Sequence, residues 1–271
     1  MNASRTARER VRAELTREIA DTARRHLATQ GAAGLSLRAV AREMGMVSSA
    51  VYRYFPSRDD LLTALIIDGY NAIGAAVEEA AAGCCGDDYP GRWLAACRAL
   101  RSWALTHPHE YALVYGSPVP GYRAPEQTIG PASRVAAVLG RIISDAQAAG
   151  ALDPPGLRVA LPGGFGPDAG RLRESVLPGA PDDVAARALA TWASVFGMVS
   201  FELFGQFENV VTDRDGYYDY VVTSLGQVIG LAPEGNRPPA PRIEIHDQRN
   251  FSNLFSKIYC DHESSLLIFQ C

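Results

Sequence analysis

Leu35-Ser36-Leu37-Arg38-Ala39-Val40-Ala41-Arg42-Glu43-Met44-Gly45, with Ser48-Ser49-Ala50-Val51-Tyr52-Arg53-Tyr54-Phe55 close behind it, is the stretch that decides the fold. Ser36 stands in a capping position before a short periodic run that turns Leu37, Val40, Ala41 and Met44 inward, and Gly45 ends the run. A second short helix is predicted from Ser48 to Phe55, with Val51 and Phe55 on its inner side. Two short helices meeting at a tight turn form a helix-turn-helix, whose second helix enters the major groove of DNA. The groove is about 12 Å wide and admits one helix, so outward side chains must be small or polar. Ser48, Ser49, Tyr52 and Arg53 satisfy that condition: serines allow close approach, and hydroxyls and guanidinium offer hydrogen bonds to bases or phosphates.

Moving outward, Leu15, Ile19, Ala23 and Leu27 recur every four residues and give a first helix that stops near Gly31. On the other side, Pro56-Ser57-Arg58-Asp59-Asp60 opens a long fourth helix, and Ser57 and Asp60 have capping-box spacing. Taken in order, Leu35 to Gly45 and Tyr52 to Leu62 resemble the DNA-binding signature of the TetR family of transcriptional regulators, over about residues 15–65. The resemblance implies an all-α homodimer without a cofactor. It implies that Tyr52 and Tyr54 contact phosphates and that Arg58, where the family usually has lysine, binds DNA backbone at the start of helix four. Val47 departs from the family pattern, which often has a capping serine there, and Ser48 or Ser49 is expected to take over the cap. Ser36 and Arg38 complete the expected DNA set, Ser36 as cap or reader. Core packing is the competing reading for Tyr54 in particular, and Arg5, Arg8, Arg10 and Arg12 read as a solvated arm.

Charge supports the same end of the molecule. Residues 1–60 carry 11 Arg against 7 acidic side chains, while the rest carries 15 basic and 23 acidic ones, within a net charge of −4. Such asymmetry is a hint of nucleic-acid contact at the basic end. The charged N-terminus lacks the apolar run of a signal peptide, and a cytoplasmic, membrane-free protein is expected. Five cysteines, with Cys84 and Cys85 adjacent, lack disulfide or CxxC spacing, so no metal is expected. No nucleophile elbow, HExxH or nucleotide fingerprint is present, and Pro162-Gly-Gly-Phe-Gly-Pro lacks the GK[ST] of a phosphate loop. An enzyme is the disfavoured class; a ligand-independent DNA-binding or architectural protein is the alternative.

About nine helices are expected in total: a three-helix DNA-binding domain over 1–60, then a helical ligand-binding and dimerisation domain over 61–232. Leu152–Pro181, rich in Pro and Gly, is expected to be mostly irregular. Trp93, Cys97, Trp103, Tyr111, Tyr115, Trp192 and Phe196 are the candidate lining of an apolar pocket for a lipophilic or aromatic effector. The stretch 191–205 resembles the penultimate helix of one TetR subgroup, in which the last two helices pair with their copies. Val199, Leu203, Phe204, Tyr217, Tyr220, Val221, Leu225 and Val228 are the interface candidates. Beyond about residue 236 the composition shifts to Ile, Asn, Phe and Ser and includes the chain's one lysine, Lys257; residues 237–271 are expected to be a non-native or disordered tail.

Overall fold

Ten α-helices and one 3-10 turn, with no strand among the described residues, make up the computed structural model, which describes residues 2–153 and 159–231. These lie in the compact unit Met1–Gly235. The expectation for 237–271 lies outside the described residues.

Helix α1 (Asn2–Gly34) starts earlier than the apolar periodicity and is broken where expected, since Gly31 leaves helical geometry at φ 65° and ψ 174°. Only a residue without Cβ adopts that φ cheaply. α2 (Leu37–Glu43) buries Leu37, Val40 and Ala41. α3 is shorter than predicted: it runs Ser48–Val51, after which Arg53 and Tyr54 bond back three residues, to Ala50 and Val51, and tighten the chain into a turn. The capping expectation fails at both serine sites. Ser36 sits at the cap of α2, but its side chain makes no cap bond, and α3 is preceded by Val47 rather than capped by Ser48 or Ser49. At α4 (Arg58–Ala82) half the capping box forms: the Asp60 N–H donates to Ser57 Oγ at 3.1 Å.

The remaining helices are α5 (Tyr89–Thr106), α6 (Pro108–Tyr115), α7 (Ile129–Ala148), α8 (Gly166–Ser175), α9 (Asp182–Leu203) and α10 (Arg214–Ile229). α8 is the helix beyond the expected nine. Its Pro167 falls in the first turn, where the missing N–H costs nothing, and Ala169 is buried while Leu172 packs on the core. α4 and α9 are long and apolar enough, by length and composition, to cross a membrane. Half of that α4 window is buried inside the fold, because α4 belongs to two cores. Leu61, Leu62 and Leu65 join Ile19, Ala23, Val40, Val51 and Phe55 in the first core. Ile73, Val77 and Ala81 join the second, with residues of α5, α7, α9 and α10.

In the second core the large polar-tipped aromatics are tied to distant carbonyls. Trp93 Nε1 donates to Val222 O at 2.8 Å, Tyr218 OH to Cys97 O at 2.9 Å, and Tyr111 OH to Phe196 O at 3.2 Å. Burying such groups without partners would cost more than the bonds return, which fixes α5, α6, α9 and α10 in one arrangement. Arg101 adds a charged tie, bidentate to Glu202 at 2.6 and 2.7 Å and paired with Asp215 at 2.7 Å.

Candidate nucleic-acid interface and effector cavity

The outer side of the α2–α3 unit is polar. Arg38, Ser49 and Arg53 are exposed, and Tyr52 is 40% exposed. They stand over an apolar seam of Val40, Ala41 and Val51, and the turn between the two helices leaves one large apolar side chain, Val47, exposed at 71%. Ser36 and Ser48 are half-buried at the margin. Tyr54 divides between the two readings: it packs partly on the first core while the Arg12 guanidinium lies 5.3 Å from its ring centre. Arg12 also donates to Arg53 O at 3.4 Å, so α1 braces the turn after α3.

Arg58 has an intramolecular task that the sequence did not disclose. Its guanidinium donates to Ala32 O at 2.7 Å, Ala33 O at 3.3 Å and Leu35 O at 3.1 Å. Those oxygens belong to the end of α1 and the first residue after it, where carbonyls have run out of helical partners. A second brace, also missed, joins α1 to α2: Glu43 accepts from Arg25 at 2.9 Å and meets His26 Nε2 at 2.6 Å. The hydrogen bond from Arg25, reinforced by His26, holds the Glu43 carboxyl below its ordinary range. Both braces join residues at least 17 positions apart. The signal for them was a basic residue and a helix break at Gly31, which is not specific.

Among the middle helices lies an apolar cavity of about 180 Å³, lined by α5, α7, α8 and α9. Trp93 and Trp192 form part of its wall, with Leu139, Ile143, Leu172 and Leu177 opposite. The other five lining candidates are elsewhere. Cys97 is fully buried in the core, its thiol pushed up by burial, and Trp103 stacks on His107 at 4.9 Å. Tyr111, Tyr115 and Phe196 form an aromatic file with Trp192 rather than cavity wall: Trp192–Phe196 5.2 Å, Phe196–Tyr115 4.5 Å, Tyr115–Tyr111 5.2 Å. These rings were chosen by type, and helical phase relative to α7 and α8 decided which met the void. Among the described residues no cluster of three or more His, Cys, Asp or Glu side chains could hold a metal ion.

A model of the N-terminal region of tetR-family bacterial regulatory proteins matches residues 19–65, and one of the tetracyclin repressor-like C-terminal domain matches residues 93–225. An HTH-type transcriptional regulator of Mycobacterium tuberculosis is 42% identical over 221 residues, 79% of this chain and 90% of the relative. The chain belongs to the TetR family. The crystal structure of a regulatory protein designated SCO4313 matches at 37% identity with a TM-score of 0.66, covering 80% of this chain and 97% of that one. A protein of unknown function from Rhodococcus sp. RHA1 matches at 27% identity and TM-score 0.58, covering 79% and 93%.

This TetR-family protein is thus a DNA-binding transcriptional regulator with an N-terminal helix-turn-helix. Its last two helices leave much apolar surface uncovered. Phe204, Tyr217, Tyr220 and Val228 are exposed, Tyr220 at 69%, and Leu203, Val221 and Leu225 are half-buried. Val199 corrects the expectation: it is wholly buried within the protomer, on the inner side of α9, and has no surface to offer a partner. Phe201, missed in the sequence, is 54% exposed on the same helix.

Proposed function

We propose that this TetR-family regulator is a homodimeric repressor, reading a palindromic operator in the cytoplasm and released by a small, uncharged, apolar effector. The observation that carries the proposal is the double membership of α4, whose first turns complete the core under the DNA-reading helices and whose later turns complete the core around the cavity. Anything that moves the second core relative to α4 changes where the reading helices stand.

Arg38, Ser49, Tyr52 and Arg53 make the principal contacts, with Ser36, Ser48 and Tyr54 supporting them at the margin. Arg58 acts as a brace in this reading, because a phosphate would have to displace it from three carbonyls. The apolar face of α9 and α10 pairs with its copy and sets the two reading helices about 34–36 Å apart, one helical turn of DNA. The cavity supports the effector half over ligand-independent binding. Its volume is of the order of the roughly 150 Å³ engineered apolar cavity known to take benzene. Its wall side chains are apolar or aromatic, and the Trp93 N–H is already committed to Val222. A charged ligand would lose its hydration there without compensation.

Selection from a random duplex library, followed by salt titration of the enriched duplex, tests the DNA half. A palindrome bound with steeply salt-dependent affinity is expected. Failure of a folded dimer to enrich any sequence would overturn it. For the effector half, neutral one-ring compounds are titrated into the protein–operator complex. If compounds that bind the cavity leave operator affinity unchanged, the protein is a ligand-independent binder.

A further inference from the structure

α7 makes close contacts on two sides. Toward α8, Gly140 packs so closely that a Cβ there would collide with the carbonyl oxygen of Val176. Toward α4, the stem of Arg134 lies in a notch made by Gly74, where a Cβ would stand 2.8 Å from Arg134 Cβ and 2.9 Å from its Nε. The guanidinium then closes over α4. Nε and Nη2 donate to the two carboxylate oxygens of Glu78 at 2.9 and 2.6 Å, and Nη1 donates to both Asn71 O and Asn71 Oδ1 at 2.9 Å. Arg134 therefore grips two turns of α4, from Asn71 to Glu78, with a planar fork that fixes direction as well as distance. Ala136, Leu139, Gly140 and Ile143 of the same helix are cavity wall.

We infer that Arg134 is the positioning residue that ties the cavity wall to α4, so that displacement of α7 is passed to the DNA-reading helices through the Arg134 fork. The inference rests on the effector reading only for what moves α7 in the cell; the tie is testable without any effector. A side chain enlarged on the cavity side of α7 stands in for the occupant. Ala136→Phe places a ring in the cavity from α7 itself. Arg134→Gln removes the fork, and Glu78→Gln removes its charge partner from the α4 side.

The experiment is a double-mutant cycle on the full chain, reading affinity for the duplex enriched from the random library. Circular dichroism and sedimentation confirm that each variant is folded with the wild-type oligomeric state. Ala136→Phe is expected to weaken operator binding in the wild-type background by roughly 5–150-fold, the usual size of coupling between sites. In the Arg134→Gln background the same substitution should change affinity by no more than about twofold, the non-additivity expected of residues coupled through one connection. If Arg134→Gln does not fold, Glu78→Gln takes its place in the cycle with the same expectation. An equal loss in both backgrounds would show that the signal bypasses Arg134. No loss in either background would show that α7 does not address the DNA-reading helices, and the inference falls in both cases. The effector reading is judged separately, by release of wild-type protein with one-ring compounds, so the two failures are distinguishable.

Discussion

The two cores that share α4 are built differently. The first draws its buried residues from one stretch, Ile19 to Leu65, most of them aliphatic, with Leu113, Val119 and Tyr122 packed against it from farther along the chain. The second spans Ile73 to Leu231, relies on aromatic side chains hydrogen-bonded across 85–129 positions, and leaves a cavity. A core of interlocked aliphatic side chains makes a platform whose shape serves a fixed partner, the groove of DNA. In the second core one cavity wall, the Trp93 indole, is held by a long-range tie to Val222 O.

The largest test of that contrast is a pair of matched truncations. Leu65→Ala, at a first-core position that borders no pocket, should cost about 3–5 kcal/mol, while Leu139→Ala, whose side chain already borders the cavity, should cost nearer to about 2 kcal/mol. Urea denaturation of both variants decides it, and equal losses would remove the distinction between the cores. Next comes Arg58→Ala, expected to lower stability by about 1.5–3 kcal/mol through loss of charged hydrogen bonds to the end of α1. A variant with unaltered stability and a shallower salt dependence of DNA binding would instead return Arg58 to the phosphate contacts. Tyr111→Phe should cost a more modest amount, about 0.5–1.5 kcal/mol, because Phe196 O and Ser200 lose one hydroxyl partner. Thermal denaturation measures it, and a loss near zero would show that the hydroxyl does not help to hold α6 on α9.

The smallest effect concerns pH. The Glu43 carboxyl is held below its ordinary value of 4.5, chiefly by Arg25 and then by His26. A depressed carboxyl contributes stability that is present above the ordinary value and lost as pH falls below it and through the lowered one. Acid titration of stability should therefore fall less steeply for Glu43→Gln than for the parent below about pH 4.5. Parallel curves would mean that the brace between α1 and α2 carries no net charge energy.

The same contrast explains what could be read in advance. Ser57 with Asp60, Gly31, Gly45 and the inward set Val40, Ala41, Val51 and Phe55 act within a few residues of one another, so spacing alone located them. Arg58 looked like a DNA contact because its position was legible while its partners, 23–26 residues upstream, were not. Trp93 and Trp192 reached the cavity wall together, yet Phe196, one turn beyond Trp192, did not. Which side of α9 meets α7 depends on contacts across the whole second half of the chain. α8 was hidden for another reason: Gly, Pro and Asp mask a helix when composition is read without its position, since Pro167 is harmless only in the first turn.

Gly226 on α10 lies behind the Trp93 indole, and a methyl group there would stand 3.2 Å from Trp93 Cδ1 and 3.3 Å from Nε1. The ring would have to give by a few tenths of an ångström. The indole is also cavity wall, so a residue that never touches the void sets how far that wall stands out into it. Under the proposed effector reading, ligand preference can accordingly drift by substitutions made from outside the chamber, on α10, without disturbing any of the surfaces that a ligand would meet.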